Sequence, residues 1–427
     1  MRLTTSRALA LTVASISLAL VATTGTAPAA LAAKPHHGHA DKATSYSFRA
    51  VSYGSRVRGG QLPASSGTTS YLSILCTNRL GTAKQNQVAT TQLPGLGELS
   101  GVSGTAGTTG KGDNVSAYST HDIASLSLDV PDVLALQIKA IQASSIASHD
   151  ASGFHASTDV KVAHIVLTVD GQPTVDLPIP TPGAPIEIPG LLTISIGKQK
   201  RAAGPTGATA KADGLVVDVI PTGTRIQVAH TAAKLGNGIE RGLFHGKASA
   251  LQVKAVGDLV RTGPQPVQPI GCQGTRGQVR SNSLASVSLP GVLQVTAADA
   301  SVMGDQSKKR ASGFTQATIA HADVLNGTLV LDAIRARAHV ARTRHDVKVD
   351  TDGTTVGQIL LNGQPISLEA LDDVEIPGVL KVDTKVTTKG GAGIEVIAVR
   401  VTLLDGTGAV IDLGHAALDI AGSGLQD

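Results

Sequence analysis

Period-two alternation of apolar and polar residues dominates the chain. Leu192, Ile194 and Ile196 alternate with Thr193 and Ser195, and Leu380, Val382, Thr384 and Val386 alternate with Lys381, Asp383 and Lys385. A period of two sends successive side chains to opposite faces, so each run predicts a strand with one face on a core and one in water. Asp170-Gly171 and Asn362-Gly363 stand between apolar runs, where such pairs close short hairpins. Asn326-Gly327, Asp352-Gly353 and Asp405-Gly406 add further turns. Helix is the minority pattern, strongest around Leu134 to Ser145. The expected fold is all-β, an antiparallel sandwich or strongly curled sheet.

The turns recur because the chain repeats itself. A shift of 196 residues lays Ile74, Cys76, Gly81, Asn86, Ala89, Leu93, Pro94 and Gly95 on Ile270, Cys272, Gly277, Asn282, Ala285, Leu289, Pro290 and Gly291. The same shift pairs Phe48 with Phe244, Tyr118 with Phe314, Ile123-Ala124 with Ile319-Ala320, and Ile138 and Ala140 with Ile334 and Ala336. Further on, Gly171-Gln172-Pro173 matches Gly363-Gln364-Pro365, Glu187-Ile188-Pro189-Gly190 matches Glu375-Ile376-Pro377-Gly378, and His230 matches His415. The shift has by then fallen to 185, as loop trimming in the second copy would make it. Copies of this length are domains rather than solenoid units. We expect two tandem homologous antiparallel β domains, 45–237 and 244–424, with a seam near Gly236 to Phe244.

The start of the chain reads as an address. Arg2 and Arg7 precede an uncharged apolar run from Ala8 to Val21, and Ala30-Leu31-Ala32 presents the small residues that a signal peptidase reads. Residues 1–33 are the expected secretory signal peptide, with cleavage leaving Ala33 or Lys34 first. The expected location is therefore secreted or extracellular, possible envelope association included. Residues 34–44 form an expected flexible, His-rich start. Its His36, His37 and His39 can meet a divalent cation, but Pro35 has no amide for an amino-terminal copper or nickel clamp. No later apolar stretch is long enough to span a bilayer, and the end, Ile420 to Asp427, shows no sorting motif or hydrophobic tail.

Composition narrows the classes. The 48 Gly, 19 Pro, four Tyr, four Phe and no Trp suit turns and small-residue strands. Without Arg2 and Arg7 the 36 basic residues become 34 against 32 acidic, a net +2. Near-neutrality and few aromatics argue against nucleic acid as a partner. The bursts Lys198 to Arg201 and Lys308 to Arg310 read as solvated turns.

The candidate chemistry is sparse. Cys76 and Cys272 are the two cysteines of the chain, and in an exported protein they make one intramolecular bridge, two buried thiols or an intermolecular bond. A bridge needs Cα atoms within about 7 Å, which copies stacked by translation would not bring together. It therefore requires the copies to face one another or to share strands. His230 follows Ile226 and Val228, and His415 follows Ile411 and Leu413, so both are expected on the apolar side of a strand as satisfied core imidazoles. His149 and His155, like His339 and His345, are six apart, which on one strand is about 20 Å, too far to share a metal ion. Asp372, Asp373 and Glu375 cluster, but only Glu375 has a counterpart, Glu187. No catalytic, cofactor-binding or metal-ligating residue is assigned, and no cofactor is expected. Asn114 and Asn326 head glycosylation sequons.

The repeat unit resembles the choice-of-anchor P family of actinobacterial secreted and cell-surface proteins. The resemblance rests on Cys76 with Leu93-Pro94-Gly95, on Ile123-Ala124-Ser125-Leu126-Ser127-Leu128 leading to Ile138-Lys139-Ala140, and on the Asp170 to Pro173 turn. Glu187 to Gly190 and, in the second copy, Ile397 to Val401 with His415-Ala416 complete it. It implies an exported domain held at the surface by varied anchors, and no activity. The expected function is a non-catalytic structural or adhesion-type protein whose partner is a cell-envelope or extracellular protein or glycan. The rival is an exported hydrolase or small-ligand carrier, which predicts a large pocket at His121, His164 or His321.

Overall fold

In the first half of the chain, the strands run β1 (Ala43–Gly59), β2 (Leu72–Arg79), β3 (Ala83–Leu93), β4 (Gly97–Lys111), β5 (Asn114–Val130), β6 (Leu134–Asp150), β7 (Gly153–Lys161), β8 (His164–Val169), β9 (Val175–Leu177), β10 (Ile186–Ile188), β11 (Leu192–Ile196), β12 (Gln199–Gly204), β13 (Gly207–Val219) and β14 (Thr224–Gly236). The second half forms β15 (Gly242–Lys254), β16 (Thr262–Pro269), β17 (Arg280–Leu289), β18 (Leu293–Gln306), β19 (Ala311–Val324), β20 (Leu329–Arg342), β21 (Val347–Asp350), β22 (Gln358–Leu361), β23 (Gln364–Pro365), β24 (Val374–Ile376), β25 (Leu380–Lys389), β26 (Gly393–Leu403) and β27 (Val410–Gly422), with one helical turn, α1 (Leu368–Leu371). This computed structural model describes residues 42–59, 68–93, 96–130, 133–254, 262–371, 374–406 and 408–425. The expected signal peptide 1–33, His36, His37, His39 and the Asp372-Asp373 pair lie outside the described residues. Among the described residues, no helix is long and apolar enough to cross a membrane.

The strands form four antiparallel sheets. The first half gives β10-β11-β13-β14-β1-β2, with β12 beside β13, and β3-β4-β5-β6-β8-β9, with β7 beside β6. The second gives β24-β25-β26-β27-β15-β16, and β17-β18-β19-β20-β22-β23 with β21 beside β20. The two orders correspond as a duplication demands, with one difference: β25 runs unbroken along β26 where β11 and β12 stand separately beside β13. Each half also closes on itself, because its first long strand hydrogen-bonds its last: β1 with β14, and β15 with β27. Within each half the two sheets pack face to face, β5 and β6 over β1, β13 and β14, and β19 and β20 over β15, β26 and β27. The fold is a tandem pair of β-sandwiches.

A row of skipped residues, Gly or Ala at every position named except Lys385, crosses every sheet. At Ala89, Gly101, Ala124 and Ala140 the ladders of β3 to β6 skip one residue on each strand, and Ala285, Ala297, Ala320 and Ala333 do the same in β17 to β20. The other sheets show it at Gly54, Ala229 and Gly214, and at Ala250, Gly414, Ala398 and Lys385. Alternate members are left-handed: Gly101, Ala140, Ala229, Ala297, Ala333, Lys385 and Gly414 have φ between 46° and 69°. A skipped residue on both partners keeps the register but inverts which face each following side chain takes. Crowding requires the small side chains, since a Cβ on Gly214 would stand 2.8 Å from that of Ala229. Ala229→Val puts a β-branched side chain at φ +54° and should cost about 2 kcal/mol or more. Ala229→Gly should change stability by less than about 1 kcal/mol. Equilibrium unfolding in guanidinium distinguishes the two, and a Val variant as stable as the parent would contradict the left-handed conformation.

This inversion explains two departures from sequence expectation. Leu134 to Ser145 is strand, not helix; Leu134, Leu136 and Ile138 face the core, Ala140 resets the phase, and Ile141, Ala143 and Ser145 face it again. The reset creates spacings of three and four that imitate a helical stripe. The repeat alignment also moves here. Ile123 opposes Ile141, and Ile319 opposes Ile334. Ile141, not Ile138, is thus the counterpart of Ile334, because the chain between the paired isoleucines, strand arms included, is three residues shorter in the second half.

The cores differ. The second half has one continuous apolar core, including Phe244, Ile319, Ile334 and Leu413. In the first, a cluster at Leu99, Ile123, Ile138 and Leu215 is separate from one at Phe48, Val115, Ala147 and Leu235. Ser52, Ser119, His121, Ser145 and Thr231, all fully buried, form a polar layer between them. Ser145 Oγ lies 2.8 Å from Thr231 Oγ1, and Ser119 Oγ donates to the Ala232 carbonyl at 3.2 Å. The corresponding second-half residues are Ala248, Thr315, Ala317, Ala338 and Ala416.

Candidate functional site at the junction of the halves

Cys76, near the end of β2, and Cys272, just after β16, form a disulfide with Cα atoms 5.3 Å apart. Of the three outcomes left open by the sequence, the intramolecular bridge is the one present. It joins corresponding positions, so the halves meet through the same patch on each, as in an isologous interface. The polar contacts around it are reciprocal. Asn78 Nδ2 donates to the Ser423 carbonyl at 2.6 Å, and Gln273 Nε2 donates to the Asn237 carbonyl at 2.8 Å. Each half thus sends an amide from its cysteine segment to the end of the other half's last strand. Ile239, Leu243, Ala421 and Leu425 pack around the two sulfurs.

His245 adds a charged contact at this seam. Its Nε2 lies 2.8 Å from the Cys76 carbonyl and its Nδ1 3.7 Å from Asp419 Oδ1. Both neighbours accept protons, so imidazolium suits the position. The nearby Asp419 carboxylate raises the His245 pKa above its ordinary value, against the opposing effect of burial, and the Cys76 carbonyl adds to the rise.

His230 and His415 do not occupy the core as expected from Ile226, Val228 and their counterparts. Ala229 and Gly414 invert the phase just before them, so each turns to the outer face of its sheet, where it is nonetheless covered. His230 Nδ1 lies 2.5 Å from Asp213 Oδ1, and its ring stacks on Tyr53 with centroids 4.3 Å apart. Burial works against the Asp213 carboxylate, yet the hydrogen bond and charge of His230 hold its pKa below the ordinary value. In the second half, His415 Nε2 lies 2.7 Å from Glu395 Oε1 and Nδ1 lies 3.5 Å from Ser249 Oγ. Burial lowers the His415 pKa despite Glu395. Ser249, His415 and Glu395 carry the residue types of a nucleophile, base and orienting acid. Ser249 is fully buried, however, and leaves a substrate carbonyl no approach to its Oγ.

The remaining histidines are dispersed. His149 and His155 sit on facing strands, because a turn at Ala151-Ser152 intervenes and the single-strand geometry expected from their spacing does not form. His149 Nδ1 contacts Tyr46 Oη at 3.1 Å and the Asp113 carbonyl at 2.9 Å, whereas His155 pairs with Asp150 at 3.1 Å. His339 pairs with Asp350 at 2.8 Å, and His345 is exposed in the turn after β20. His164 meets Asp176 at 3.0 Å and His321 meets Asp332 at 2.7 Å. His121 is sealed between the sheets with neither ring nitrogen bonded. None of five well-formed clefts is lined by His121, His164 or His321. Glu375 faces Lys381 across β24 and β25. Among the described residues, no three His, Cys, Asp or Glu are placed to hold a metal ion.

No family model and no curated protein matches the chain.

A feature that sequence reading missed is a cleft of 370 Å³ beside the bridge. Thr206 to Thr209 and Lys234 to Gly236 form one wall, and Gly271, Gln273 to Arg276, Gln278 and Arg280 form the other. It runs into a second cleft of 250 Å³ over β1, β13 and β14, the two sharing Thr209 and Lys234. A comparison of charges between corresponding positions of the two halves would have been the signal for it.

Proposed function

We propose that the protein is an exported, non-catalytic β scaffold of the cell envelope or extracellular space, related to the choice-of-anchor P class. The bridge between matching cysteines carries the reading: it links the two sandwiches covalently within one compact unit and needs an oxidising compartment to persist. A duplicated, covalently clamped scaffold presents two versions of one surface at fixed spacing, which favours multivalent contact over chemistry. The Ser249, His415 and Glu395 group is the feature that speaks for the hydrolase reading, and the burial of Ser249 speaks against it.

Amino-terminal sequencing of material recovered from the culture medium or envelope fraction should begin at Ala33 or Lys34. An intact Met1 would overturn export. The purified mature chain should not hydrolyse p-nitrophenyl acetate; hydrolysis abolished by Ser249→Ala or His415→Ala would replace the scaffold reading with the enzymatic one.

A further inference from the structure

The two sandwiches have diverged in charge on one pair of corresponding outer faces. On the outer face of the first half, Arg49 stands directly opposite Lys234, and Lys211 directly opposite Lys200. The strand register gives their second-half counterparts as His245 opposite Asp419, and Glu395 opposite Thr388. There the charges are balanced: His245 is 3.7 Å from Asp419, and Glu395 is 2.7 Å from His415. In the first half, four cations occupy the same face, and across the seam Arg276 and Arg280 add two more. The described residues lining the two joined clefts include no carboxylate. Asp213 is adjacent but is bonded to His230.

Like charges placed directly across a ladder destabilise a sheet. Lys234 feels this field although its side chain is exposed: desolvation in the cleft, then Arg49 and Arg280, hold its pKa below the ordinary value. The balanced alternative is one this fold adopts in its other half. An arrangement that costs stability and focuses one sign of charge in a concave groove is a feature of ligand sites.

We propose that the groove running from Lys200 and Lys211 past Arg49 and Lys234 to Arg276 and Arg280 binds a flexible polyanionic chain carrying successive phosphate groups. Guanidinium forks receive phosphate oxygens in pairs, and the lysines act as point charges between them. The groove extends over both halves, so it seats more than one anionic group, and the bridge fixes the distance between its walls. Gly207, Gly236, Gly271 and Gly274 line the cleft, so much of its wall is backbone. This deepens the scaffold reading by naming the class of ligand.

The test uses the mature, oxidised protein with sodium tripolyphosphate and inorganic phosphate as probes in titration calorimetry. Tripolyphosphate should bind at 50 mM salt, at least tenfold more tightly than inorganic phosphate, and weaken at least tenfold at 500 mM. Lys234→Gln with Arg280→Gln should lower the affinity at least tenfold, yet melt at or above the parent temperature because repulsion has been removed. The second-half control Lys247→Gln should bind as the parent does. Equal affinity for inorganic phosphate, binding unaffected by the double substitution, or tighter binding of a short DNA duplex than of tripolyphosphate would overturn the inference. Such a failure would leave the export and hydrolysis results, obtained without these probes, standing.

Discussion

Cys76→Ser will lower the stability of the oxidised protein by about 3–5 kcal/mol, Cys272→Ser will lower it equally, and the double variant will lose little more than either. The magnitude follows from loop closure: the bridge spans 196 positions and removes much of the freedom of the unfolded chain. Equality and non-additivity follow because both substitutions remove one and the same bond. The reciprocal amides of Asn78 and Gln273 survive in all three variants, so the seam is loosened rather than erased. Equilibrium unfolding under non-reducing conditions gives the three values. Two reactive thiols per denatured, unreduced monomer, or single losses that add in the double variant, would refute the bridge.

Acid will destabilise the first half through His121. Its ring lies between the sheets against Gly104 and Gly54, fully buried and without a hydrogen bond, and burial pushes its pKa down to about 4, with a further lowering from His230. Because the folded pKa is depressed below the ordinary 6.5, the neutral ring contributes stability that is complete above pH 6.5 and is lost as pH falls through 4. Between pH 7 and pH 4 the loss should reach about 3 kcal/mol. His245 acts with the opposite sign, since its raised pKa makes its contribution complete below its unfolded value and lost as pH rises past the folded one. A difference measurement isolates His121. The second half holds Ala248, Ala250, Ala300 and Ala317 where the first holds Ser52, Gly54, Gly104 and His121. Transplanting that set into the first half should abolish the acid-dependent loss while refilling the space, whereas His121→Ala alone abolishes it but leaves a void. Identical pH profiles for parent and transplant, followed by denaturant unfolding at each pH, would sink the assignment.

Strand character and duplication were legible in the chain because both are local. Period-two runs need only neighbouring residues, and the repeated Cys, Leu-Pro-Gly and Asp-Gly or Asn-Gly phrases need only a constant shift. The bursts from Lys198 and Lys308 illustrate the limit. Lys308 to Arg310 is a turn as read, but Lys200 and Arg201 lie in β12, whose register against β13 no local pattern states.

What the sequence by itself determined, then, is an all-β chain made twice, with a cysteine at the same place in each copy. Tertiary structure alone decided which way the side chains face beyond Ala140, Ala229 and Gly414, because an alanine turns left-handed only when the facing strand skips a residue in the same row. That is why His230 and His415, inward by alternation, emerge on the outside. It also decided the fate of the cysteines, since the 5.3 Å approach depends on how two finished sandwiches dock. The cationic groove has the same origin: Arg49 and Lys234 are 185 positions apart in a nearly neutral chain, and only the closure of β1 onto β14 makes them neighbours.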